Sequence, residues 1–192
     1  ICGFADHGAK VHYAATPETD KEILPESFLL VDSGGHYLEG TTDITRTFAL
    51  GEVTDEMRDM FTRVLRSNVS LASARFRQGC CGLNFDILAR APFWDIDMDY
   101  NHGTGHGVGY VLNVHEGPNS FHWKAYPGRS ADSEILPGMI TTDEPGVYLE
   151  GKFGIRTENE LVARLGNKNE YGQFMYCLLY TSPSPRDISG SR

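Results

Sequence analysis

The sequence predicts a mixed α/β (α+β) domain in which two β-ribbons flank a pair of helices. Residues 28–51 hold a short apolar run, an Asp-Ser-Gly-Gly segment and a return rich in β-branched residues, which is typical of a hairpin. Residues 136–162 have the same character, and apolar residues between the two ribbons recur at helical spacing. We therefore expect two loosely similar halves that close on one site, although their sequences are too different to count as a repeat.

Composition narrows the range of functions. The chain has 192 residues, of which 40% are hydrophobic, as expected for one globular domain with a core. The formal net charge is −9 and no Lys/Arg block is present, which argues against nucleic acid or an anionic membrane as a partner. No apolar run approaches the roughly 20 residues that span a bilayer. The four cysteines lack the spacing of a disulfide framework or a zinc site, which favours a reducing compartment and inert thiols.

The first fifty residues hold two candidate carboxylates. Residues 1–16 are predicted to form a turn at 6–8 between two short strands, and packing within the second strand is the simpler interpretation of His12. In the ribbon at 28–51, Asp32 closes the first strand and Asp43 lies in the second. An Asp at a turn usually binds local backbone, which would suit Asp32 alone. A carboxylate buried inside a strand, as expected of Asp43, needs a cation.

Two helices are predicted between the ribbons. The first covers Thr54–Phe76, with Thr54 as N-cap and two acidic residues in the first turn. Its apolar stripe consists of Met57, Met60, Phe61, Val64, Leu65, Val69 and Ala72. The second helix covers Leu83–Trp94, with Phe85, Leu88 and Ala89 directed inward. Both stripes indicate core packing rather than ligand binding.

The stretch Asn101–Pro118, NHGTGHGVGYVLNVHEGP, is the most unusual part of the chain. It holds three of the seven histidines, His102, His106 and His115, among several glycines. Glycine allows sharp turns and close backbone approach to a ligand, so these histidines are well placed to face a site. Residues 118–129 are predicted to be irregular.

The second ribbon supplies two further acids. Glu144 precedes Pro145-Gly146, and Glu158 is predicted to lie in a strand over Gly154–Val162. Two Asp, two Glu and a His form an oxygen-rich ligand set that suits Mn²⁺, and also Zn²⁺, Co²⁺ or Fe²⁺. Four carboxylates favour two divalent ions, because one cation would leave a net negative, partly buried site. Two ions about 3.5–4 Å apart can activate a shared water and polarise a carbonyl, with histidines as hydrogen-bond donors.

Four ordered motifs carry a family resemblance. DSGGHYLEGTTDITRT, HGTGHGVGYVLNVHEGP, TTDEPGVY and GIRTEN resemble the catalytic domain of the aminopeptidase P (Xaa-Pro aminopeptidase) family, most of all its eukaryotic cytosolic form. The resemblance implies the pita-bread fold, a curved antiparallel sheet with flanking helices, here truncated at both ends. It also implies a dinuclear centre, usually of Mn²⁺. The chain departs from the family at Thr157, where an apolar residue is usual, and in the GHYLEG segment.

The resemblance also assigns roles to individual residues. Asp32 would bind one metal, His106 and Glu144 the other, and Asp43 and Glu158 would bridge both. Three histidines match residues that line the substrate site: His12, His102 and His115. Of these, His115 is the first catalytic candidate and His102 the second. Arg156 would orient a ligand carboxylate.

The activity implied by the resemblance is hydrolysis of the bond between an N-terminal residue and a following proline, through a metal-bridged hydroxide. Substrates would be peptides with proline at the second position, in the cytoplasm, and the parent protein would be a homodimer. Prolidase and methionine aminopeptidase share the fold and ligand types, but GTTDITRT and NVHEGP favour aminopeptidase P. Creatine-hydrolysing relatives do not retain this ligand set. A pita-bread binding module without catalysis is the alternative from another class, and such modules typically lose ligands.

The expected domain covers residues 1–176, an internal piece of a longer protein. Residues 177–192 change character and are rich in Ser and Pro. One hypothesis is a disordered tail. The other is that Cys177–Asp187, CLLYTSPSPRD, translates the read-through of a transposon-based sequencing adapter, which resequencing of the transcript would decide.

Overall fold

Three antiparallel strands form the first sheet of the computed structural model, which describes residues 1–111, 113–125 and 133–180. They are β1 (Cys2–Phe4), β2 (Phe28–Tyr37) and β3 (Gly40–Ala49), in the order β1-β2-β3. The hairpin predicted at 28–51 is confirmed, but its first strand does not close at Asp32. Asp32 pairs with Thr45 within a ladder that continues to the tip of the hairpin, because the Gly-rich segment stays extended and pairs with β3.

The N-terminal segment differs from its prediction. A 3-10 helix, Ala5–Ala9, replaces the turn, and no second strand follows it. His12 is exposed in a turn instead of packing in a strand. The buried residue is Tyr13, whose ring stacks on His7 with centroids 4.4 Å apart. The chain thus buries its apolar residue by ring stacking, without strand pairing.

Helix α1 (Asp55–Ala72) begins as predicted, since the Thr54 hydroxyl accepts a hydrogen bond from the Met57 amide at 3.2 Å. It ends before Phe76 because the chain turns into β4 (Arg75–Arg77), which joins the large sheet. Part of the predicted apolar stripe lies outside the core: Leu65 and Val69 are about half exposed. Leu71 is fully buried in their place.

Helix α2 (Asp86–Trp94) follows a 3-10 turn at Gly82–Asn84 and so starts later than predicted. Phe85 and Ala89 are buried as expected, whereas Leu88 is exposed. The inward face instead carries a charged pair, Asp86 and Arg90, both fully buried.

The second half of the chain, together with β4, forms a six-stranded and a two-stranded antiparallel sheet. The remaining strands are β5 (Gly105–Val108), β6 (His115–Phe121), β7 (Ile140–Asp143), β8 (Gly146–Leu149), β9 (Phe153–Arg156), β10 (Asn159–Asn169) and β11 (Gly172–Tyr180). The large sheet has the order β4-β11-β10-β7-β5-β6, and β8 pairs with β9. Residues 118–121 therefore belong to a strand and are not irregular, since they pair with β5; residues 126–129 lie outside the described residues.

Both glutamates of the second ribbon lie where the chain passes between these two sheets. Glu144 is in the two-residue break between β7 and β8. Glu158 is in the break between β9 and β10, so the single strand predicted over 154–162 is wrong. The strands diverge here because β10 pairs with β7 whereas β9 pairs with β8.

Two apolar clusters hold the sheets and helices together. One packs α1 and α2 against the first sheet and the β8-β9 ribbon: Phe28, Met57, Met60, Val64, Phe93, Tyr100, Val147, Phe153 and Ile155. The other packs the end of α1 and the start of α2 against the large sheet: Leu71, Phe76, Phe85, Ala89, Phe121, Ile135, Leu161, Ala163 and Met175. Among the described residues, no helix is both long and apolar enough to cross a bilayer.

The C-terminal strand crosses the predicted domain boundary. β11 continues past residue 176, and Tyr180 pairs with Glu160. Both hypotheses for the origin of residues 177–192 stay predictions, and residues 181–192 lie outside the described part of the chain. All four cysteines are free thiols.

Candidate metal centre

The hairpin brings two carboxylates to one point. Asp32 pairs with Thr45, and Asp43 pairs with Gly34, so both Asp side chains lie near the middle of the ladder. Their oxygen atoms lie within 4.8 Å of each other and of a Glu158 oxygen. Gly34 permits this close packing, since a Cβ there would approach the Thr42 carbonyl oxygen to 2.2 Å.

The predicted histidine ligand, His106, lies in β5. His106 Nδ1 bonds to the Gly107 carbonyl oxygen at 2.9 Å and must therefore carry its proton. Nε2 is left facing two carboxylates, at 3.4 Å from Asp43 Oδ2 and 3.4 Å from Glu144 Oε1. Such a backbone bond is the usual way in which a metal-binding histidine is oriented.

Each glutamate is held by a threonine of another strand or loop. The Glu144 amide donates to the Thr104 carbonyl at 2.7 Å, and the Thr142 hydroxyl donates to Glu144 Oε1 at 3.2 Å. The Glu158 amide donates to the Thr45 carbonyl at 3.1 Å, and the Thr45 hydroxyl donates to Glu158 Oε2 at 2.6 Å. Both carboxylates are thus fixed at the breaks between strands.

The five predicted ligands converge in two overlapping groups. One contains His106, Glu144 and Glu158, and the other contains Asp32, Asp43 and Glu158. Glu158 belongs to both groups, and Asp43 and His106 form a third group with His115. Overlapping groups of this kind can hold two neighbouring cations that share carboxylates.

The electrostatics of the centre favour bound cations. Burial raises the pKa of Glu144; His106 and Arg156 oppose the shift and the Asp43 charge adds to it, so that the pKa lies at about 7. Burial and the charges of Glu144 and Asp43 also raise the pKa of Glu158 well above its usual range. The carboxylates destabilise one another when ionised, and divalent cations would remove that cost.

Arg156 connects the two halves of the centre. Its buried guanidinium donates to Asp32 Oδ2 at 2.7 Å, to the Thr45 hydroxyl at 3.2 Å and to the Tyr148 hydroxyl at 2.9 Å. Because Thr45 in turn donates to Glu158, this one side chain orients groups from both ribbons.

Both ring nitrogens of His102 are bonded to protein atoms. Nδ1 bonds to the Gly103 carbonyl oxygen at 2.7 Å and Nε2 to the Tyr148 hydroxyl at 2.9 Å. Since Arg156 donates to the Tyr148 oxygen, the Tyr148 proton points to His102, whose ring is then neutral. Burial accordingly lowers the pKa of His102 to about 4.

The other two predicted substrate-site histidines, His12 and His115, are both exposed. His115 lies in β6, exposed, with its ring centroid 3.9 Å from that of His106. Partial burial lowers the pKa of His115, and the His106 and His12 charges lower it further. The His12 charge also contributes to the lowered pKa of His102, and His12 itself is exposed.

Sequence reasoning missed the groups that orient the ligands: Thr45, Thr104, Thr142 and Tyr148. Two had a detectable signal, because Thr45 follows Asp43 by two residues and Thr142 precedes Glu144 by two. Alternation along a strand places such residues on the same face. Nothing local indicated Thr104 or Tyr148, whose partners come from other parts of the chain.

A comparison with known families agrees with this geometry. Residues 1–164 match the sequence model of metallopeptidase family M24, and the chain belongs to this family. The chain is 45% identical over 162 residues to aminopeptidase P1 of Arabidopsis thaliana, covering 84% of this chain and 25% of that protein. It is 42% identical over 177 residues to aminopeptidase P2 of the same plant, covering 92% and 24%. The chain thus spans about a quarter of the length of these relatives.

A solved structure shares the architecture. The X-prolyl aminopeptidase of Caenorhabditis elegans, described as a cytosolic enzyme with a di-nuclear active site, matches with a TM-score of 0.84 and 35% identity. The match covers 93% of this chain and 29% of that one. The predicted pita-bread fold, with its antiparallel sheets and flanking helices, is therefore confirmed.

Proposed function

We propose that this chain carries the dinuclear centre of an Xaa-Pro aminopeptidase. The observation that carries the proposal is the convergence of five hard donors in two groups that share Glu158. Asp32 would bind one cation, His106 and Glu144 the other, and Asp43 and Glu158 would bridge them.

The donor set fits two divalent cations. It has four carboxylates and one imidazole, and the four cysteines are not among the groups that could hold an ion. Mn²⁺ is the first choice for such donors, with Zn²⁺ or Co²⁺ as alternatives. When bound, such ions supply an activated water and polarise the carbonyl of the scissile peptide.

The surrounding residues have separable tasks. His115 is exposed beside His106, and its lowered pKa keeps the ring neutral near pH 7, so it can donate a hydrogen bond to the substrate carbonyl. His12 is also exposed and would contact the substrate. His102 would act mainly through its bond to Tyr148, and Arg156 by orienting Asp32.

The proposed substrates are peptides with proline at the second position, hydrolysed after the first residue in the cytosol. The names of the relatives support this choice, as does the description of the C. elegans structure as cytosolic. The free thiols suit a reducing compartment. We also propose that the protein is a homodimer.

Hydrolysis assays on the chain with Mn²⁺ test the proposal. An Ala-Pro-Ala tripeptide should lose its first alanine, whereas Ala-Ala-Ala should remain intact. Cleavage confined to the dipeptide Ala-Pro would indicate a prolidase, and cleavage confined to a Met-Ala peptide would indicate a methionine aminopeptidase. Binding of Ala-Pro-Ala without cleavage by the metal-loaded chain would contradict the proposal in favour of a binding module.

A further inference from the structure

A fully buried ion pair on α2 lies next to the candidate metal centre. Arg90 Nε donates to Asp86 Oδ2 at 2.7 Å, and neither side chain is exposed to solvent. Burying two charges is costly, and such a pair often contributes little net stability. A role in fixing a particular geometry would account for its presence.

Arg90 holds the segment that leads into the histidine stretch. One terminal nitrogen of its guanidinium donates to Asp99 Oδ1 at 2.6 Å and to the Tyr100 carbonyl at 2.9 Å. The other donates to the His102 carbonyl at 2.8 Å. The planar guanidinium thereby fixes backbone groups on either side of residue 101.

Asp86 continues the connection to Glu144. The Thr104 hydroxyl donates to Asp86 Oδ1 at 2.6 Å, and the Thr104 carbonyl accepts the Glu144 amide at 2.7 Å. Thr104 also precedes β5, which carries His106 two residues later. His106 and Glu144 are the two side chains assigned only to the cation that Asp32 does not bind. Both are therefore linked to α2 through Thr104.

The other metal position is supported differently. Asp32 and Asp43 lie in the hairpin ladder, and Asp32 is oriented by Arg156. We propose that Asp86 and Arg90 are positioning residues for one metal position only, that of His106 and Glu144. This inference rests on the proposed dinuclear function.

Metal titration of two variants of the full chain tests the inference. Arg90→Lys keeps the charge but loses the planar set of donors, and the double change Asp86→Leu/Arg90→Met removes both buried charges together. Arg63→Lys is the matched control, because Arg63 also bonds to an Asp four residues earlier and to a backbone carbonyl, that of Pro92.

The expected result is asymmetric. By Mn²⁺ calorimetry, both variants should bind one ion as tightly as the control does. The dissociation constant of the other ion, at the position of His106 and Glu144, should rise roughly 10- to 100-fold. Circular dichroism should show that they remain folded. Two ions bound as tightly as in Arg63→Lys would overturn the inference. The inference would also be overturned if both variants lost both ions and the circular-dichroism signal of the folded chain. Asp86 and Arg90 would then determine the fold as a whole.

A measurement without metal separates this inference from the proposed function. Hydrogen exchange of the Glu144 amide, which is bonded to Thr104, should be at least about tenfold faster in Arg90→Lys than in Arg63→Lys. If the unsubstituted chain binds no ions but this acceleration is seen, the proposed function fails and the positioning role stands. Equal exchange rates would refute the positioning role whatever the metal content.

Discussion

The two pairs of carboxylates reach the same centre by different routes. Asp32 and Asp43 lie within the continuous ladder of one hairpin, so their positions follow from local pairing. Glu144 and Glu158 lie in breaks between strands and are held by threonines distant in the sequence. The hairpin pair is therefore a local construction, whereas the glutamate pair depends on tertiary contacts.

The largest effect is expected where the two pairs meet. Asp43→Asn keeps the shape of the side chain but removes the charge of a proposed bridging ligand. Hydrolysis should become undetectable, and Mn²⁺ affinity should fall by more than the roughly 100-fold typical of outer-shell changes. Calorimetry and a peptide assay measure this, with the exposed Asp20→Asn as control. Unchanged turnover in Asp43→Asn would refute the ligand assignment.

A smaller effect is expected at the contact between the hairpin and Glu158. Thr45→Val removes a hydroxyl that donates to Glu158 Oε2, so Mn²⁺ affinity should fall roughly 10- to 100-fold. Thr47→Val is a matched control two residues along the strand. Its hydroxyl is also buried, but it bonds to Arg156 backbone atoms and to no ligand. Equal affinities in the two variants would show that the Thr45 hydroxyl does not position Glu158.

The glutamate pair should also make stability depend on pH. The pKa of Glu144 is raised to about 7, so between its usual value and pH 7 the folded, metal-free chain holds more protons than the unfolded chain. The free energy of unfolding should fall as pH rises through this window, with Glu144 alone contributing about 3 kcal/mol.

Thermal unfolding at about pH 5 and pH 7.5 measures this dependence. Mn²⁺ should raise Tm more at the higher pH, because it replaces protons at the glutamates. Glu144→Gln should reduce the pH dependence of the metal-free chain, whereas the exposed Glu56→Gln should retain it in full. The same Mn²⁺-induced rise in Tm at both pH values would contradict the account.

The smallest effect is expected outside both pairs. Thr54→Ala removes the N-cap of α1 and should cost about 1 kcal/mol of unfolding free energy. Metal affinity should not change, because Thr54 contacts none of the five ligands. Denaturant unfolding and calorimetry on the same sample check this, and a parallel loss of metal affinity would show that the centre simply follows global stability.

The sequence predicted what local patterns determine. The hairpin and the start of α1 followed from β-branched residues and a capping threonine. The five ligands were identified through motifs that resemble a family, and the geometry brings them together. The split of the second ribbon at Glu144 and Glu158 was missed, because it depends on which strands β9 and β10 pair with. The strand proposed for His12 failed because alternation over four residues cannot distinguish a strand from a turn stabilised by ring stacking.

Buried polar groups were the hardest to predict. Asp86 and Arg90 have the i,i+4 spacing of an ordinary helical surface pair, yet both are fully buried because the loop at 99–104 supplies their partners. Leu88, which the pattern directed inward, is exposed on the same helix.

The most direct test of the central claim is the number of Mn²⁺ ions bound by the unsubstituted chain, measured by titration calorimetry on a sample shown to be folded by circular dichroism. A dinuclear centre predicts two ions per folded chain. One ion, or none, bound by a folded chain would contradict it.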